Sequence, residues 1–254
     1  MTVRAKKQLG QHFLVDENIL GVIDRLAELD TADVVLEIGP GLGILTRFLA
    51  DRVSFVHAVE LDRSLEEHLP ARENVKVHWG DALAVDLNAL DPPPRKLVAN
   101  LPYNVATPIV VESLDGLPAV DWWCVMVQRE VADRFFAEPS TKAYGAVSVL
   151  VQLATERTGL HPVSREVFRP RPNVDSALVA FRRKPLPGDY ARVKRIVQGG
   201  FSHRRKTLPN SLALSGAATR AQAESALVAI GRDPGVRAEA LDPHEFVALT
   251  EALA

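Results

Sequence analysis

A short apolar run that leads into a glycine-rich turn is the feature that most constrains the fold. Val34–Ile38 reads as a buried strand, Gly39, Gly41 and Gly43 follow it, and a helical pattern begins directly afterwards. Glycine has no Cβ, so a ligand can approach such a turn closely. The spacing is G-x-G-x-G, whereas a dinucleotide fingerprint has G-x-G-x-x-G. The turn predicts either a ligand-binding loop or a structural strand–turn–helix corner.

The alternation of strand and helix patterns continues along the chain. Strand patterns occupy 55–59, 75–79, 96–99 and 122–127, with a later one at 174–181. Such alternation predicts an α/β fold with a mainly parallel, doubly wound sheet. The Pro/Gly-rich stretch 184–188 reads as a hinge, and the residues after it look helical. We therefore predict two domains, 1–187 with the sheet and 188–254 as a small all-α domain.

Two carboxylates follow successive strands at the edge where such sheets bind ligands. Glu60 ends the strand after the glycine turn, where a carboxylate can accept hydrogen bonds from both hydroxyls of a ribose. Asp81 ends the next strand and suits the amino group of adenine, while Leu61 and Ala82 offer apolar contacts to the ring. These residues predict an adenosine-containing ligand. They do not distinguish NAD from S-adenosylmethionine.

The tetrapeptide Asn100-Leu101-Pro102-Tyr103 follows the fourth strand pattern and suggests a chemistry. The exocyclic amine of adenine is a poor nucleophile, because its lone pair is delocalised into the ring. The Asn100 side-chain oxygen and the Leu101 carbonyl could accept its hydrogens, and Tyr103 could stack on a flipped base. Pro102 would fix the loop. The alternative is a plain Asn-Pro turn.

Composition excludes several classes of protein. Of the 254 residues 47% are hydrophobic and 24% charged, which is ordinary for a globular chain and excludes disordered, collagenous and coiled-coil proteins. The single cysteine, Cys124, excludes an internal disulfide and a Cys-rich metal site. No apolar run approaches the length of a membrane span. We expect no metal, no membrane association and a cytoplasmic location.

The net charge of −2 argues against a nucleic-acid partner only when it is taken as an average. Residues 165–206 hold 12 Lys or Arg and 3 Asp or Glu, and the first 12 residues hold three basic residues and no acidic one. The rest of the chain is correspondingly acidic. Such asymmetry is typical of a protein with one face turned towards RNA.

Five motifs together resemble a known family, the rRNA adenine N6,N6-dimethyltransferases. They lie, in order along nearly the whole chain, at 7–14, 35–43, 100–103, 168–176 and 201–208. The resemblance implies a Rossmann-like class I S-adenosylmethionine-dependent methyltransferase fold and S-adenosylmethionine as cofactor. The last two motifs and the chain length look more like the bacterial small-subunit branch of the family.

The resemblance also implies roles for particular residues. His12 stands where many relatives have Asn, and both residue types can form hydrogen bonds. Phe168 is the expected second aromatic wall for the target base, with a core phenylalanine as the alternative. The predicted cofactor contacts, which combine the resemblance with the reasoning on strand ends, are Gln11, His12, Leu14, Gly39, Gly41, Glu60, Leu61, Asp81, Ala82 and Asn100.

The implied substrate is 16S rRNA in the immature 30S subunit. The family members of this branch dimethylate two adjacent adenosines in the loop of the 3′-terminal helix and act as late assembly factors. We expect RNA contacts from basic residues around Phe168 and near the predicted domain junction, and a monomeric enzyme. The predicted RNA-binding residues are Arg169, Arg171, Arg204, Arg205 and Lys206.

Three alternatives remain open at this point. A 23S rRNA adenine methylase of the erythromycin-resistance type shares the first four motifs. A binding or assembly factor could keep the fold without requiring catalysis, although the intact tetrapeptide at 100–103 argues for retained activity. An NAD-dependent oxidoreductase would also use a glycine turn followed by an acidic strand end.

Overall fold

The computed structural model describes residues 5, 6 and 9–253, and these fall into two compact units. The sheet unit comprises the residues up to Ala132 together with Arg157–Arg183, and the helical unit comprises Asp133–Glu156 together with the residues from Lys184 onwards. The segment 133–156 thus groups with the carboxyl-terminal helices, whereas the linear division at residue 187 placed it with the sheet. The division of the chain into a domain of residues 1–187 and a domain of residues 188–254 stays a prediction.

The strands form one large sheet and one short pair. The strands are β1 (Phe13–Leu14), β2 (Val34–Ile38), β3 (Phe55–Glu60), β4 (Val75–Trp79), β5 (Lys96–Asn100), β6 (Trp122–Gln128), β7 (Thr155–Val163), β8 (Phe168–Arg169) and β9 (Ser176–Arg183). Among the described residues the large sheet has seven strands in the order β4-β3-β2-β5-β6-β9-β7. The strands from β4 to β6 in that order are parallel, and β9 is antiparallel to β6.

The helices follow the alternation that the sequence predicts. In the sheet unit they are α1 (Asn18–Ala27), α2 (Ile44–Ala50) and α3 (Ala106–Gly116), and α4 (Arg129–Phe135) runs across the boundary between the units. The helical unit contains α5 (Ala146–Ala154), α6 (Tyr190–Phe201), α7 (Leu208–Leu214), α8 (Arg220–Ala229) and α9 (Pro243–Ala252). Within the described ranges, no helix is both long enough and apolar enough to cross a bilayer.

The central strands are apolar runs because both faces of the sheet are covered. Leu36, Leu97 and Val125 have no exposed surface, as expected for a parallel sheet with helices on its two faces. This burial fixes the register of β2, β3 and β5, so that their carboxyl ends meet at one edge. The predicted α/β fold with a mainly parallel sheet is confirmed.

The short antiparallel pair β1–β8 joins two motifs that are far apart in sequence. Phe13 pairs with Arg169 and Leu14 with Phe168. The amino-terminal segment is thereby held against the segment around residue 168. Residues 9–14 line the cavity at the edge of the sheet where β2, β3 and β5 end. The pairing of β1 with β8 holds this segment at that edge.

The helical unit has its own apolar core. The ring of Phe201 lies 5.9 Å from that of Tyr144 and 5.8 Å from that of Phe246. The Tyr144 hydroxyl donates a hydrogen bond to the Leu241 carbonyl at 2.8 Å. Asp242 and Glu245 cap the start of α9 reciprocally, which satisfies backbone donors that the helix leaves free. The predicted helical character of the carboxyl-terminal region is confirmed.

Candidate active site

A cavity of about 260 Å³ lies in the sheet unit at the carboxyl ends of the parallel strands. This is the edge at which open α/β sheets bind ligands. The cavity brings together all the predicted cofactor contacts and the whole 100–103 tetrapeptide. These are Gln11, His12, Leu14, Gly39, Gly41, Glu60, Leu61, Asp81, Ala82, Asn100, Leu101, Pro102 and Tyr103.

The glycine turn has a backbone that side chains would not allow. Gly39, Gly41 and Gly43 adopt φ values of +74°, +58° and +71°. A Cβ at Gly39 would lie 3.2 Å from the Pro102 ring, and one at Gly41 would lie 3.0 Å from the Phe13 ring. The turn therefore packs directly against the 100–103 loop and the amino-terminal segment, which explains why it needs glycine.

Glu60, at the end of β3, holds the glycine turn in place. Its Oε2 accepts a hydrogen bond from the Gly41 N–H at 3.1 Å, and its Oε1 accepts one from the Asp62 N–H at 2.8 Å. Burial raises the pKa of this carboxyl, and the two backbone hydrogen bonds offset part of that rise. Each oxygen has lone pairs beyond the one used, so the carboxylate can also accept from the hydroxyls of a ribose.

Asp81 follows β4 and is more open. Its Oδ1 accepts a hydrogen bond from the Leu83 N–H at 2.9 Å, which shapes the turn after the strand. The other oxygen can accept from an amino group of a ligand. Leu61 is 54% exposed although it is apolar, so it offers a surface that a planar ring can cover. The strand-end carboxylates and the apolar side chains thus line one cavity, and their contact with a cofactor stays a prediction.

Gln11 lines the cavity, and its side chain is hydrogen-bonded to the carboxylate of Asp62. Its Nε2 donates to Asp62 Oδ2 at 3.0 Å, and Lys6 Nζ donates to Asp62 Oδ1 at 2.6 Å. Burial alone would raise the pKa of Asp62, but the hydrogen bonds from Lys6, Ser64 and Gln11 hold it well below its usual range. This cluster ties the amino-terminal segment to the end of β3.

Asn100 is oriented by the amino-terminal segment. Its Nδ2 donates a hydrogen bond to the His12 carbonyl at 3.1 Å, so the Oδ1 is left as the acceptor on this side chain. The Leu101 N–H donates to the Met126 carbonyl at 3.1 Å, which anchors the loop to the end of β6. These contacts fix the two groups that the sequence predicts will accept the hydrogens of an adenine amine.

Tyr103 is held by the 168–176 motif. Its hydroxyl lies 2.5 Å from Ser176 Oγ, and its ring lies 5.2 Å from the His12 ring. His12 Nδ1 lies 2.7 Å from the Pro170 carbonyl, and it must donate because a carbonyl can only accept. Burial raises the pKa of Tyr103. Pro170 and Ser176 therefore position the wall of the cavity.

Phe168 lies elsewhere than predicted. Its side chain has no exposed surface and packs in the apolar core of the sheet unit with Leu14 and Val167. In this structure the ring therefore offers no face to a base, which matches the alternative of a core phenylalanine. Its strand pairing with Leu14 is the physical reason. A role in stacking on a base stays a prediction.

The predicted RNA-binding residues lie in both units. In the sheet unit, Arg169 donates to the Phe168 carbonyl at 2.9 Å, and Arg171 pairs with Glu166 at 2.6 Å. In the helical unit, Arg204, Arg205 and Lys206 are exposed in the turn between α6 and α7, and Arg204 donates to the Tyr144 carbonyl at 2.8 Å. Their contact with RNA stays a prediction.

Sequence reasoning missed three residues that shape the cavity or its supports. They are Glu37 in β2, Asp62 after β3, and Ser176 at the start of β9. Glu37 carried a signal, because a carboxylate inside an apolar strand is rarely buried without a reason. Ser176 ends the 168–176 motif, but neither it nor Asp62 was assigned a role, since these roles depend on contacts with Tyr103 and Gln11 that are distant in sequence.

Comparison with known proteins identifies the family. Residues 2–253 match the model of the ribosomal RNA adenine dimethylase family. The chain belongs to this family. It is 49% identical over 253 residues to the ribosomal RNA small subunit methyltransferase A of Rubrobacter xylanophilus, a match that covers 98% of this chain and 95% of that one.

Other relatives and solved structures agree with this assignment. The chain is 44% identical to the enzyme of the same name from Lactiplantibacillus plantarum, with 99% of this chain and 90% of that one covered. The solved 23S rRNA methyltransferase ErmE is 30% identical, with a TM-score of 0.66 and coverage of 95% and 99%. A dimethyladenosine transferase from Plasmodium falciparum shares the fold, with a TM-score of 0.77, 23% identity and coverage of 94% and 96%.

The prediction of a class I methyltransferase fold and of an rRNA adenine dimethyltransferase is confirmed at the level of the family. A family that modifies adenine accounts for the features of the cavity: strand-end carboxylates, a glycine turn and an anchored 100–103 loop. Assignment to the family does not by itself choose the substrate RNA, because the chain is similar both to enzymes named for the small ribosomal subunit and to a 23S rRNA methyltransferase.

Proposed function

We propose that this chain uses S-adenosylmethionine to dimethylate the N6 amines of two adjacent adenosines in the loop of the 3′-terminal helix of 16S rRNA. The observation that carries the proposal is one cavity that unites Glu60 and Asp81 with the anchored Asn100–Tyr103 loop. Glu60 and Asp81 suit an adenosine ligand, and the Asn100–Tyr103 loop suits a second adenine. The cavity can therefore hold both reactants of a methyl transfer from one to the other.

The cavity fits S-adenosylmethionine better than NAD. Two carboxylates line it, those of Glu60 and Asp81, beside the buried acid Glu37, and no Lys or Arg appears among the described residues of its wall. A wall of this charge favours a cationic ligand and disfavours the anionic pyrophosphate of NAD. When bound, S-adenosylmethionine supplies an electrophilic methyl group on a sulfonium, and Glu60 and Asp81 would hold its ribose and adenine.

The residues of the chain then act mainly by alignment and electrostatics. Asn100 Oδ1 and the Leu101 carbonyl accept the N6 hydrogens of the target adenine and localise the nitrogen lone pair. With S-adenosylmethionine bound, that lone pair would be placed to accept the methyl group as the S–C bond breaks, with the bonding pair left on sulfur. The methylated amine is cationic and sheds its proton readily, so no strong general base is needed.

The choice of the small subunit rests on sequence similarity. The chain is 41–49% identical to relatives named for the small subunit and 30% identical to the 23S rRNA methyltransferase ErmE. Purified 30S particles should accept methyl groups, and 50S particles or naked 23S rRNA should not. Methyl transfer into 23S rRNA without transfer into 30S particles would contradict this choice.

A role in late assembly of the small subunit is proposed beside catalysis and is supported by the family resemblance. An Asn100→Ala variant should still bind immature 30S particles while it fails to methylate them. Normal methylation by this variant would contradict the proposed mechanism, and loss of particle binding would contradict a separable assembly role. The monomeric state and the cytoplasmic location stay predictions.

A further inference from the structure

The segment 168–176 supports the cavity wall, although it lies far in sequence from the loop that it holds. Its last residue, Ser176, contacts the Tyr103 hydroxyl at 2.5 Å. At its other end the pairing of β8 with β1 stops at Arg169, and the next residue, Pro170, has no N–H to continue the ladder. Beyond that point the segment is attached to the amino-terminal segment through a side chain.

The imidazole of His12 makes this attachment. Continued by one residue, the register of β1 and β8 sets His12 opposite Pro170, and His12 Nδ1 lies 2.7 Å from the Pro170 carbonyl. The ring nitrogen donates, since a carbonyl can only accept. A side-chain hydrogen bond thus extends the pairing past the residue at which the backbone ladder ends.

His12 also touches both parts of the site proposed for the target adenine. Its carbonyl accepts a hydrogen bond from Asn100 Nδ2 at 3.1 Å, and its ring lies 5.2 Å from the Tyr103 ring at an angle of 31°. The turn that it holds at Pro170 leads to Ser176, which contacts the Tyr103 hydroxyl. His12 therefore connects the amine acceptor, the stacking ring and the support of that ring.

We propose that His12 is a positioning residue for the target adenine, and that its Nδ1–H holds the 168–176 segment in the arrangement that fixes Tyr103. The inference rests on the proposed function, in which Tyr103 stacks on that base. It gives the side chain a different task from the cofactor contact that the sequence predicts for this residue. The Asn100 side chain is held by the backbone carbonyl of His12, so a change of the His12 side chain tests chiefly the hold on the segment.

Two substitutions separate the hydrogen bond from the ring. In His12→Asn the amide nitrogen can lie where Nδ1 lies, since both atoms are the same number of bonds from Cα, but the ring is lost. In His12→Phe a ring remains beside Tyr103, but no donor faces the Pro170 carbonyl. A role for the hydrogen bond predicts that His12→Asn preserves activity and that His12→Phe does not.

Single-turnover methylation of 30S particles at saturating S-adenosylmethionine and RNA measures the rate. His12→Phe should lower this rate by roughly three- to tenfold, the loss expected when one hydrogen bond no longer holds the wall of the site, and His12→Asn should stay within about twofold of the wild type. Affinity for S-adenosylhomocysteine, from calorimetric titration of the full-length protein, should be unchanged in both variants. Unchanged affinity also shows that both variants fold.

A double-variant cycle with Ser176→Ala distinguishes positioning from a general loss of structure. Both changes act through the same segment, so the double variant of His12→Phe and Ser176→Ala should be little slower than the slower single variant. Effects that multiply in the double variant would contradict the inference. His244 is exposed on α9 in the helical unit, and His244→Phe serves as the matched control that should keep the wild-type rate.

Failure of this inference can be told apart from failure of the proposed function. A wild-type rate in His12→Phe, or a rate in His12→Asn as low as that of His12→Phe, would overturn the inference alone. A fall in affinity for S-adenosylhomocysteine in both variants would also overturn it, and would assign the side chain to the cofactor. No transfer of methyl groups to 30S particles by the wild-type protein would overturn the proposed function itself.

Discussion

The cavity of the sheet unit and the basic turn of the helical unit are built in opposite ways. Glu60 and Asn100 are each held by hydrogen bonds to the backbone of a neighbouring segment. Arg205 and Lys206, by contrast, lie exposed in the turn between α6 and α7. The first arrangement is organised before any ligand arrives, whereas the second presents positive charge to solvent.

This contrast teaches what each region contributes to the reaction. A preorganised site gives rate and selectivity, since its groups need no rearrangement in the transition state. An exposed basic surface gives affinity for phosphate, and that affinity depends on salt. Changes in the cavity should thus have large effects that do not vary with salt, and changes in the basic turn should have smaller, salt-dependent ones.

The largest effect is expected for Asn100→Ala. Loss of the Oδ1 acceptor should lower the methylation rate by about 10²–10³-fold, in line with the removal of a single preorganised polar group from other active sites. Single-turnover transfer of labelled methyl groups to 30S particles measures this. Asn88 is exposed on the same unit, and Asn88→Ala should retain the wild-type rate. A rate for Asn100→Ala near that of the control would contradict the claim that the preorganised cavity determines the rate.

A smaller effect is expected for Glu60→Ala. The change removes the predicted ribose acceptor and leaves the Gly41 and Asp62 N–H groups without their partner. Hydrogen bonds to a charged group contribute roughly 1.5–3 kcal/mol each, so affinity for S-adenosylhomocysteine should fall by at least about tenfold. Calorimetric titration measures it. Unchanged affinity would show that the end of β3 is not part of the cofactor site.

Loss of the contact between Tyr103 and Ser176 should reduce activity less than loss of the Asn100 or Glu60 side chain. Ser176→Ala and Tyr103→Phe should each lower kcat by several-fold, because each frees the tyrosine ring from the same hydrogen bond. Their double variant should be little worse than either single one, since the residues share one interaction. Cofactor affinity should stay constant, and Ser176→Thr should recover part of kcat. Additive effects would contradict a positioning role for Ser176.

The smallest change in rate is expected for the basic turn. The double variant Arg205→Ala, Lys206→Ala should weaken RNA binding and reduce the slope of log affinity against log salt by up to about two. At saturating RNA the methylation rate should stay near that of the wild type. Arg220 is exposed in the same unit and pairs with Glu224, so Arg220→Ala serves as the control. An unchanged slope of log affinity against log salt would show that this turn is not part of the RNA-binding surface.

Much of the fold could be predicted because its determinants are local. The runs that form β2, β3 and β5 are largely apolar and are followed by the glycine turn, by an acidic residue or by the 100–103 tetrapeptide, so the parallel sheet and a ligand-binding edge at the strand ends could be predicted. Strand β7 was not predicted, because it lies at the sheet edge, alternates poorly and contains exposed polar residues. Gly159 in β7 has a packing role that no pattern shows, since a Cβ there would lie 2.5 Å from the Leu26 side chain.

The residues that sequence reasoning missed or misplaced all depend on long-range contacts. Phe168 is buried because β8 pairs with β1, more than a hundred residues earlier in the chain. Ser176 is significant only because Tyr103 lies against it. Glu37 was visible as a charged residue in an apolar strand, but its unpartnered oxygen is a property of the folded cavity. Local sequence patterns therefore predict the residues that line the cavity better than the residues that hold them in place.

Mass spectrometry of 16S rRNA tests the central account most directly. The 30S particles would come from a strain that lacks this gene and would be incubated with the purified protein and S-adenosylmethionine. The account predicts N6,N6-dimethyladenosine at two adjacent positions of the 3′-terminal helix with the wild-type protein, and none with Asn100→Ala. Unmodified 16S rRNA after incubation with the wild-type protein, or equal modification by Asn100→Ala, would contradict it.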